Sequence, residues 1–201
     1  MQGAPTDRRY VDALAKAWNA LKERDPAELA SSSGGELRGR ELLVRLLNKT
    51  VVLNLDTQDI RWSDGTDIKG DLKVVLLHYL EKAEGKLAGN VVSYRELEGG
   101  NLYYSVFQGR AILPLIKNFG ESPEKLIEKS AKLGGKVVKR GDASVDFLFF
   151  PYVLVNATIW KGDDEVPSSA NVLFDGAILK TLPAEDVAHL AGDLVLWIIR
   201  D

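Results

Sequence analysis

The stretch from Val92 to Arg110, VSYRELEGGNLYYSVFQGR, brings together residue types that bind small anions. Gly99-Gly100-Asn101 leads into a predicted helix. The free backbone N–H groups of a first helical turn attract anions, especially where glycines permit close approach. Arg95 is near enough in the sequence to add a positive charge. The pattern therefore predicts an anion site at the start of this helix.

Three further side chains in this stretch share one face of the predicted helix. Tyr103, Phe107 and Arg110 follow at i, i+4 and i+7, so aromatic walls and a guanidinium could hold a flat or carboxylated ligand. The predicted ligand-binding residues are Arg95, Gly99, Gly100, Asn101, Tyr103, Phe107 and Arg110. A structural interpretation stays open, in which Asn101 only caps the helix and the aromatic rings pack in the core. Arg95 would then pair with a neighbouring acid, Glu96 or Glu98.

Three functions fit these residues. The first is a small-molecule or cofactor binding module with an anionic or aromatic ligand. The second is an enzyme in which Glu96 or Asp175 is the general base and Arg95 holds an anionic substrate, which requires both groups to open on one cleft. The third is a protein-interaction scaffold, which an exposed apolar patch would favour. The sequence identifies neither a catalytic residue nor a cofactor.

Acidic residues in the carboxyl-terminal half could bind a hard cation if their carboxylates lie close together. However, Asp163-Asp164 lies where a hairpin needs turn residues, and the spacing of the acids matches no calcium loop. Turn chemistry is the favoured interpretation, and we predict no metal site. The acids concerned are Asp142, Asp146, Asp163, Asp164, Glu165 and Asp175.

Neither histidine has a pattern typical of a catalytic base. His78 lies among aliphatic residues on a predicted helix, which favours a hydrogen-bonded core histidine. His189 is flanked by acidic residues at helical distances, which favours a solvated helical face. Trp160 and Trp197 are predicted to fill the core.

The composition excludes several classes of protein. Lys and Arg number 26 against 29 Asp and Glu, without a basic tract, so nucleic-acid binding has no electrostatic footprint. The absence of cysteine excludes disulfides, thiolate metal sites and any iron–sulfur cluster held by this chain. The longest apolar stretch, FLFFPYVLV, is too short to span a bilayer, and the charged amino terminus is unlike a signal peptide. We therefore expect a cytoplasmic protein with no nucleic-acid or membrane partner.

The first half of the chain is predicted to contain a small sheet between helices. Apolar spacing predicts an amphipathic helix from Thr6 to Glu23, and the polar stretch from Ser31 to Arg40 is predicted to be a mobile connector. Residues 41–62 suit an antiparallel meander, although ELLVRLLN could instead form a short helix. A helical stripe begins at Asp71 and should stop near Gly85.

The second half is predicted to combine helices with a larger sheet. A helix over 101–119 should kink near Arg110, because Pro114 lies inside it. Helices are also expected over 122–133 and from Pro183 onward. Strands are predicted at 91–94, 136–139, 144–150, 152–160 and 170–174, with Pro151 at a bulge or an edge. This order indicates an α+β fold with mostly antiparallel sheets, in which one compact domain at 31–201 follows a helical segment at 1–30.

Four blocks, SYRELEGGNLYY, GDASVDFLFFPYV, WKGDDEVPSSANVLFD and TLPAEDVAHL, occur in this order. Through these blocks, roughly residues 40–199 resemble an uncharacterised bacterial and archaeal family, the domain of unknown function three-seven-eight-six. Some members look to be fused to a four-cysteine module similar to that of corrinoid iron–sulfur proteins, which implies a setting in anaerobic one-carbon or corrinoid metabolism. Since this chain has no cysteine, a redox role would require a separate iron–sulfur or corrinoid protein as partner.

The resemblance brings no known catalytic residues. It implies only that certain residues lie within recurring blocks of the family: Arg95, Glu96, Gly99, Gly100, Asp142, Asp163, Glu165, Pro167, Phe174, Asp175, Pro183 and Asp186.

Overall fold

Two antiparallel sheets and the helices packed on them make up residues 8–200, the part of the chain that the computed structural model describes. One sheet has four strands and the other has five, and all their pairings are antiparallel. The predicted α+β fold is confirmed. One cluster of buried apolar side chains joins both sheets. The division of the chain near residue 30 stays a prediction.

The smaller sheet is a meander whose strands follow one another in chain order: β1 (Glu36–Arg38), β2 (Glu41–Leu46), β3 (Lys49–Asn54) and β4 (Asp59–Trp62). Leu42, Val44 and Leu46 are buried and alternate with more exposed residues. This period of two is typical of a strand with one face on the core. The predicted meander is confirmed, and the alternative of a short helix at ELLVRLLN is wrong.

The predicted mobile connector from Ser31 to Arg40 is wrong, because this stretch contains the end of a helix and a strand. Helix α2 (Pro26–Ser33) follows Asp25, whose carboxylate accepts the N–H of Ala27 at 3.4 Å, and Gly34 ends it at φ 67°. The buried Ser33 hydroxyl donates to a carbonyl one turn earlier at 2.6 Å. Serines that resemble a polar linker therefore form the last turn of this helix.

The larger sheet has the order β5 (Val91–Ser93), β9 (Ser169–Asp175), β8 (Val153–Trp160), β7 (Ala143–Phe150) and β6 (Lys136–Val137). The predicted strands are confirmed, although β6 is only two residues long. Pro151 lies in the turn between β7 and β8, beside a register shift between Leu148 and Phe150. The irregularity predicted at this proline is therefore present.

The predicted helices are also present, as α1 (Arg8–Leu21), α3 (Gly70–Lys82), α4 (Gly100–Phe107), α5 (Leu113–Phe119), α6 (Glu124–Ala131) and α8 (Ala184–Arg200), together with a short α7 (Ile178–Thr181). The predicted start of the first helix, Thr6, lies outside the described residues. One π-helical turn, Gln108–Ile112, joins α4 to α5. It lies at the position of the predicted kink, because Pro114 has no N–H with which to continue the α-helical pattern.

Helix α8 connects the layers of the fold. It packs against α3, α4, α5 and α6, and it buries Val187, Leu190, Leu194 and Ile198. Its later residues also reach the smaller sheet, where they help to form the cleft described below. Within residues 8–200, no helix is both long and apolar enough to cross a membrane.

Candidate functional site

Arg95 is held by an aromatic ring and an amide, not by an acid. Its guanidinium carbon lies 3.6 Å from the centre of the Tyr104 ring, and Nη1 donates to Oδ1 of Asn101 at 3.1 Å. The nearby Glu96 instead accepts the backbone N–H of Ser93 at 2.7 Å and so caps a short 3₁₀ turn at 94–96. The structure thus joins Arg95 and Asn101, two of the predicted ligand-binding residues.

The two glycines at the start of α4 serve the packing of the chain on itself. Gly99 has φ 74°, and its carbonyl accepts the N–H groups of Leu102 and Tyr103. The N–H of Gly100 donates to the carbonyl of Leu97 at 2.9 Å, and a Cβ at Gly100 would lie 2.1 Å from the carbonyl oxygen of Tyr94. The 3₁₀ turn therefore covers part of this helix start, while Asn101 remains exposed.

The other three predicted residues have different surroundings. Phe107 is only 1% exposed and stacks on Tyr94 with ring centres 4.1 Å apart, so it belongs to the core. Tyr103 is 40% exposed. The stem of Arg110 lies against Gly192 of α8, in a cleft that it shares with His189. A bound ligand could not reach Phe107 without opening the core. A ligand held by Arg95, Asn101 and Tyr103 stays a prediction.

Tyr94 explains why Phe107 is buried. Its hydroxyl donates to the carbonyl of Ala184 at 2.7 Å, and burial raises the pKa of Tyr94 to about 12. The aromatic stack thus links the start of α4 to the start of α8.

Asp175, one of the proposed general bases, is fully engaged by backbone groups. Its carboxylate accepts the N–H groups of Ala88 and Gly89 at 2.7 Å each and that of Ala177 at 2.9 Å, and the residue is 7% exposed. The other proposed base, Glu96, holds the 3₁₀ turn. Both carboxylates therefore have structural partners that account for their positions.

The acidic residues of the turns behave as predicted. Asp163 accepts the N–H groups of Glu165 and Val166, and these bonds hold the pKa of Asp163 below its ordinary value. Asp142 accepts the N–H of Lys161 at 2.8 Å. Within the described part of the chain, no three acidic or histidine side chains are grouped so that they could hold a metal ion.

The two histidines lie in unlike places. His78 is half-buried, and its Nδ1 lies 2.6 Å from Oδ2 of Asp186, which confirms the predicted hydrogen-bonded histidine. The bond to Asp186 is the main reason why the pKa of His78 is raised. His189 is half-buried beside Arg110 and lines a cleft on the surface, so the face of α8 on which it lies is only partly solvated.

A cleft of about 280 Å³ lies between the smaller sheet, the start of α3 and the end of α8. We call it the tryptophan cleft, and the side chains that give it its chemistry are Lys49, Trp62, Asp67, Lys69, Trp197 and Arg200. Leu46, Leu72 and Leu133 provide an apolar lining. Sequence reasoning did not select this region, because its residues come from distant parts of the chain.

The turn between β2 and β3 places Lys49 and Trp62 at this cleft. Leu47 in the turn has φ 54°, which is uncommon for a non-glycine residue, and its N–H donates to the carbonyl of Phe149 in β7 at 2.9 Å. Lys49 begins the next strand, and its Nζ lies 5.4 Å from the centre of the Trp62 ring. The turn is thus attached to the larger sheet while its lysine covers an indole.

Trp197 lines the opposite side of the cleft. Its ring is parallel to that of Phe149, at 4° with centres 5.9 Å apart, so one neighbour fixes its orientation. Neither Trp62 nor Trp197 donates its indole N–H to another described residue, and neither N–H is buried. The prediction that Trp197 fills the core holds only in part, and Trp160 is 37% exposed, which contradicts the same prediction for it.

The tryptophan cleft has an excess of positive charge. Lys69 and Arg200 form no ion pair with any residue of the described chain, and Lys49 contacts the Trp62 ring. The acid in the lining, Asp67, pairs with Lys73 at 2.7 Å, and this bond holds the pKa of Asp67 below its ordinary value. A cleft with unpaired cations attracts anions, even though the chain as a whole has a net charge of −3.

A family model matches most of the chain. The family model for a domain of unknown function (DUF3786) matches residues 25–197. No curated protein and no solved structure matched the chain.

Proposed function

The chain belongs to the DUF3786 family, a domain of unknown function, so the family gives no role for it. From the geometry of the structure we propose that the protein binds a small planar anion in the tryptophan cleft. The observation that carries this proposal is that two indoles and three cationic side chains line one cleft. A flat ligand would lie against the indoles. Its anionic group would meet Lys69 and Arg200.

The expected interaction energies and the volume of the cleft both favour a small ligand. Contact with an aromatic ring contributes about 0.5–1.5 kcal/mol beyond area burial, and a hydrogen bond to a charged group contributes about 1.5–3 kcal/mol. The volume of about 280 Å³ is close to the lower end of typical ligand pockets, roughly 300–1,000 Å³. One or two fused rings with a carboxylate or phosphate would therefore fit best.

Tryptophan fluorescence provides the test. The protein would be titrated with benzoate, nicotinate, quinoline-3-carboxylate and phenyl phosphate, each beside an uncharged analogue with the same ring. We expect saturable quenching by at least one of these anions and about tenfold weaker binding of its uncharged analogue, which corresponds to about 1.4 kcal/mol. Failure of all four anions to saturate would contradict the proposal.

Matched variants locate the ligand. Lys69→Gln and Arg200→Gln should each weaken binding about tenfold. Arg95→Gln also removes an exposed cation, but from the other predicted site, and should leave binding unchanged. The reverse pattern would place the ligand at Arg95 and Asn101.

The proposed partner, a separate iron–sulfur or corrinoid protein, rests on the family resemblance. The cysteine-free chain offers no thiolate for a cluster of its own. Anaerobic copurification followed by an absorption spectrum of the complex would test it.

A further inference from the structure

A second cleft, of about 310 Å³, lies where the π-helical turn meets α8. We call it the Arg110 cleft. Arg110, His189 and Asp193 line it with polar groups, while Pro114 and Leu196 give it an apolar side. The tryptophan cleft uses other residues of α8, Trp197 and Arg200, so the two clefts have separate linings.

The backbone at this cleft is built for close approach. His189 and Asp193 are four residues apart and lie on one face of α8. Between them Gly192 lets Arg110 pack closely, since a Cβ there would lie 3.0 Å from the Cβ of Arg110. Pro114 and Gly109 lie on the opposite wall of the cleft. Because proline has no N–H, Pro114 cannot donate the π-helical hydrogen bond to the carbonyl of Gly109, five residues earlier. Single π-helical turns of this kind often occur at functional sites.

The two opposite charges of this cleft are not paired. Arg110 and Asp193 form neither an ion pair nor a hydrogen bond with any residue in the described part of the chain, although both line the same space. Burial raises the pKa of Asp193, and Asp71 acts in the same direction, whereas Lys69, His189 and Arg110 oppose it. Asp193 is half-buried and its carboxylate has no hydrogen-bond partner in the described chain, so an ammonium group in the cleft could pair with it.

We propose that the Arg110 cleft binds a free α-amino acid, with the carboxylate of the ligand on Arg110 and its ammonium group on Asp193. A simple anion would pair with Arg110 but be repelled by Asp193. A simple cation would pair with Asp193 but be repelled by Arg110. A zwitterion satisfies both. Leu196, which is 39% exposed, and Pro114 offer contact to an apolar side chain. This proposal does not rest on the aromatic anion proposed for the tryptophan cleft.

The test begins with the wild-type protein at pH 8, far above the ordinary pKa of a carboxyl group. The twenty common α-amino acids would be screened by thermal shift, and the strongest ligand would be measured by calorimetry. Its decarboxylated amine and its deaminated carboxylic acid have the same side chain but only one of the two charges. We expect each to bind at least tenfold more weakly than the amino acid. Equal binding of either analogue, or no saturable amino acid, would overturn the proposal.

Variants then test the two contacts. Asp193→Asn and Arg110→Gln should each weaken binding at least tenfold, while the controls Asp71→Asn and Arg95→Gln should not. Arg110 is exposed, so its replacement leaves the core intact. If Asp193→Asn fails to fold, the amine and acid analogues still decide the question on the unmodified protein. Unchanged affinity in Arg110→Gln would also overturn the proposal.

Discussion

Trp62 and Trp197 line the same cleft although one ends β4 and the other lies near the end of α8. Phe149 connects the two sides of the cleft. Its carbonyl accepts the N–H of Leu47 in the β2–β3 turn, and its ring stacks on Trp197. The cleft therefore depends on how the smaller sheet docks against the larger one. No local motif could supply that arrangement.

The glycine at the start of α4 should be indispensable for folding. Gly100→Ala would bring a Cβ to 2.1 Å from the backbone oxygen of Tyr94, which cannot move freely. We expect a loss of about 3 kcal/mol or more in the free energy of unfolding. Gly109→Ala is the matched control, because nothing lies within 4 Å of its Cβ position. It should be neutral or stabilising by about 0.5–1 kcal/mol. Equal stability of the two variants in denaturant titrations would contradict this explanation.

Asp175 should act as a clamp for the loop that precedes β5. Asp175→Ala removes the acceptor for three backbone N–H groups, two of them in that loop. We expect the free energy of unfolding to fall by at least about 2 kcal/mol. Asp163→Ala, in an exposed turn, should cost less than about 1 kcal/mol. Hydrogen exchange at Ala88 and Gly89 should rise in the first variant alone, and unchanged protection there would exclude the clamp.

The His78–Asp186 bond should make stability depend on pH. The pKa of His78 in the folded chain is raised above its ordinary value of 6.5, so the folded state binds the proton more tightly. Its stabilising effect is complete below pH 6.5 and is lost as the pH rises through the raised value. His78→Gln and Asp186→Asn should each cost about 1–2 kcal/mol at pH 6 and flatten this slope. His189→Gln should keep the wild-type slope, and a slope that survives in His78→Gln would assign it to another group.

Gln58 should be a position where glycine stabilises the protein. This exposed residue in the β3–β4 turn has φ 59°, a left-handed conformation that is strained for side chains other than glycine. Gln58→Gly relieves the strain but increases the freedom of the unfolded chain, so we expect a net gain of about 0.5–1 kcal/mol. The neighbouring Thr57→Gly offers no such relief and should destabilise. A melting temperature that falls in both variants would show that Gln58 is unstrained.

Periodicity predicted most of the fold because each signal was local. The alternation of Leu42, Val44 and Leu46 revealed a strand within a single segment. The spacing of Tyr103, Phe107 and Arg110 correctly indicated a helix but not which face turns inward. That choice depends on Tyr94, which stacks on Phe107 and reaches Ala184 of α8. Contacts of this kind are not visible in a sequence pattern.

The candidate clefts were harder to predict for the same reason. Lys49, Lys69 and Arg200 look like ordinary surface cations in the sequence, and only the docking of three separate elements brings them to one cleft. The sequence predicts Arg110 as a ligand-binding residue, but in the same site as Arg95. The π-helical turn and Gly192 instead place it against α8, beside His189 and Asp193.

The indole N–H signals of the protein test the central claim most directly, because the chain has four tryptophans and they divide into two pairs. Trp62 and Trp197 line the cleft, whereas Trp18 is buried and Trp160 is exposed elsewhere. In ¹H–¹⁵N spectra assigned with Trp→Phe variants, the tightest-binding aromatic anion of the panel should shift the Trp62 and Trp197 signals saturably and leave the other two unchanged. Signals of Trp62 and Trp197 that stay in place, or that move no more than that of Trp160, would contradict binding in this cleft.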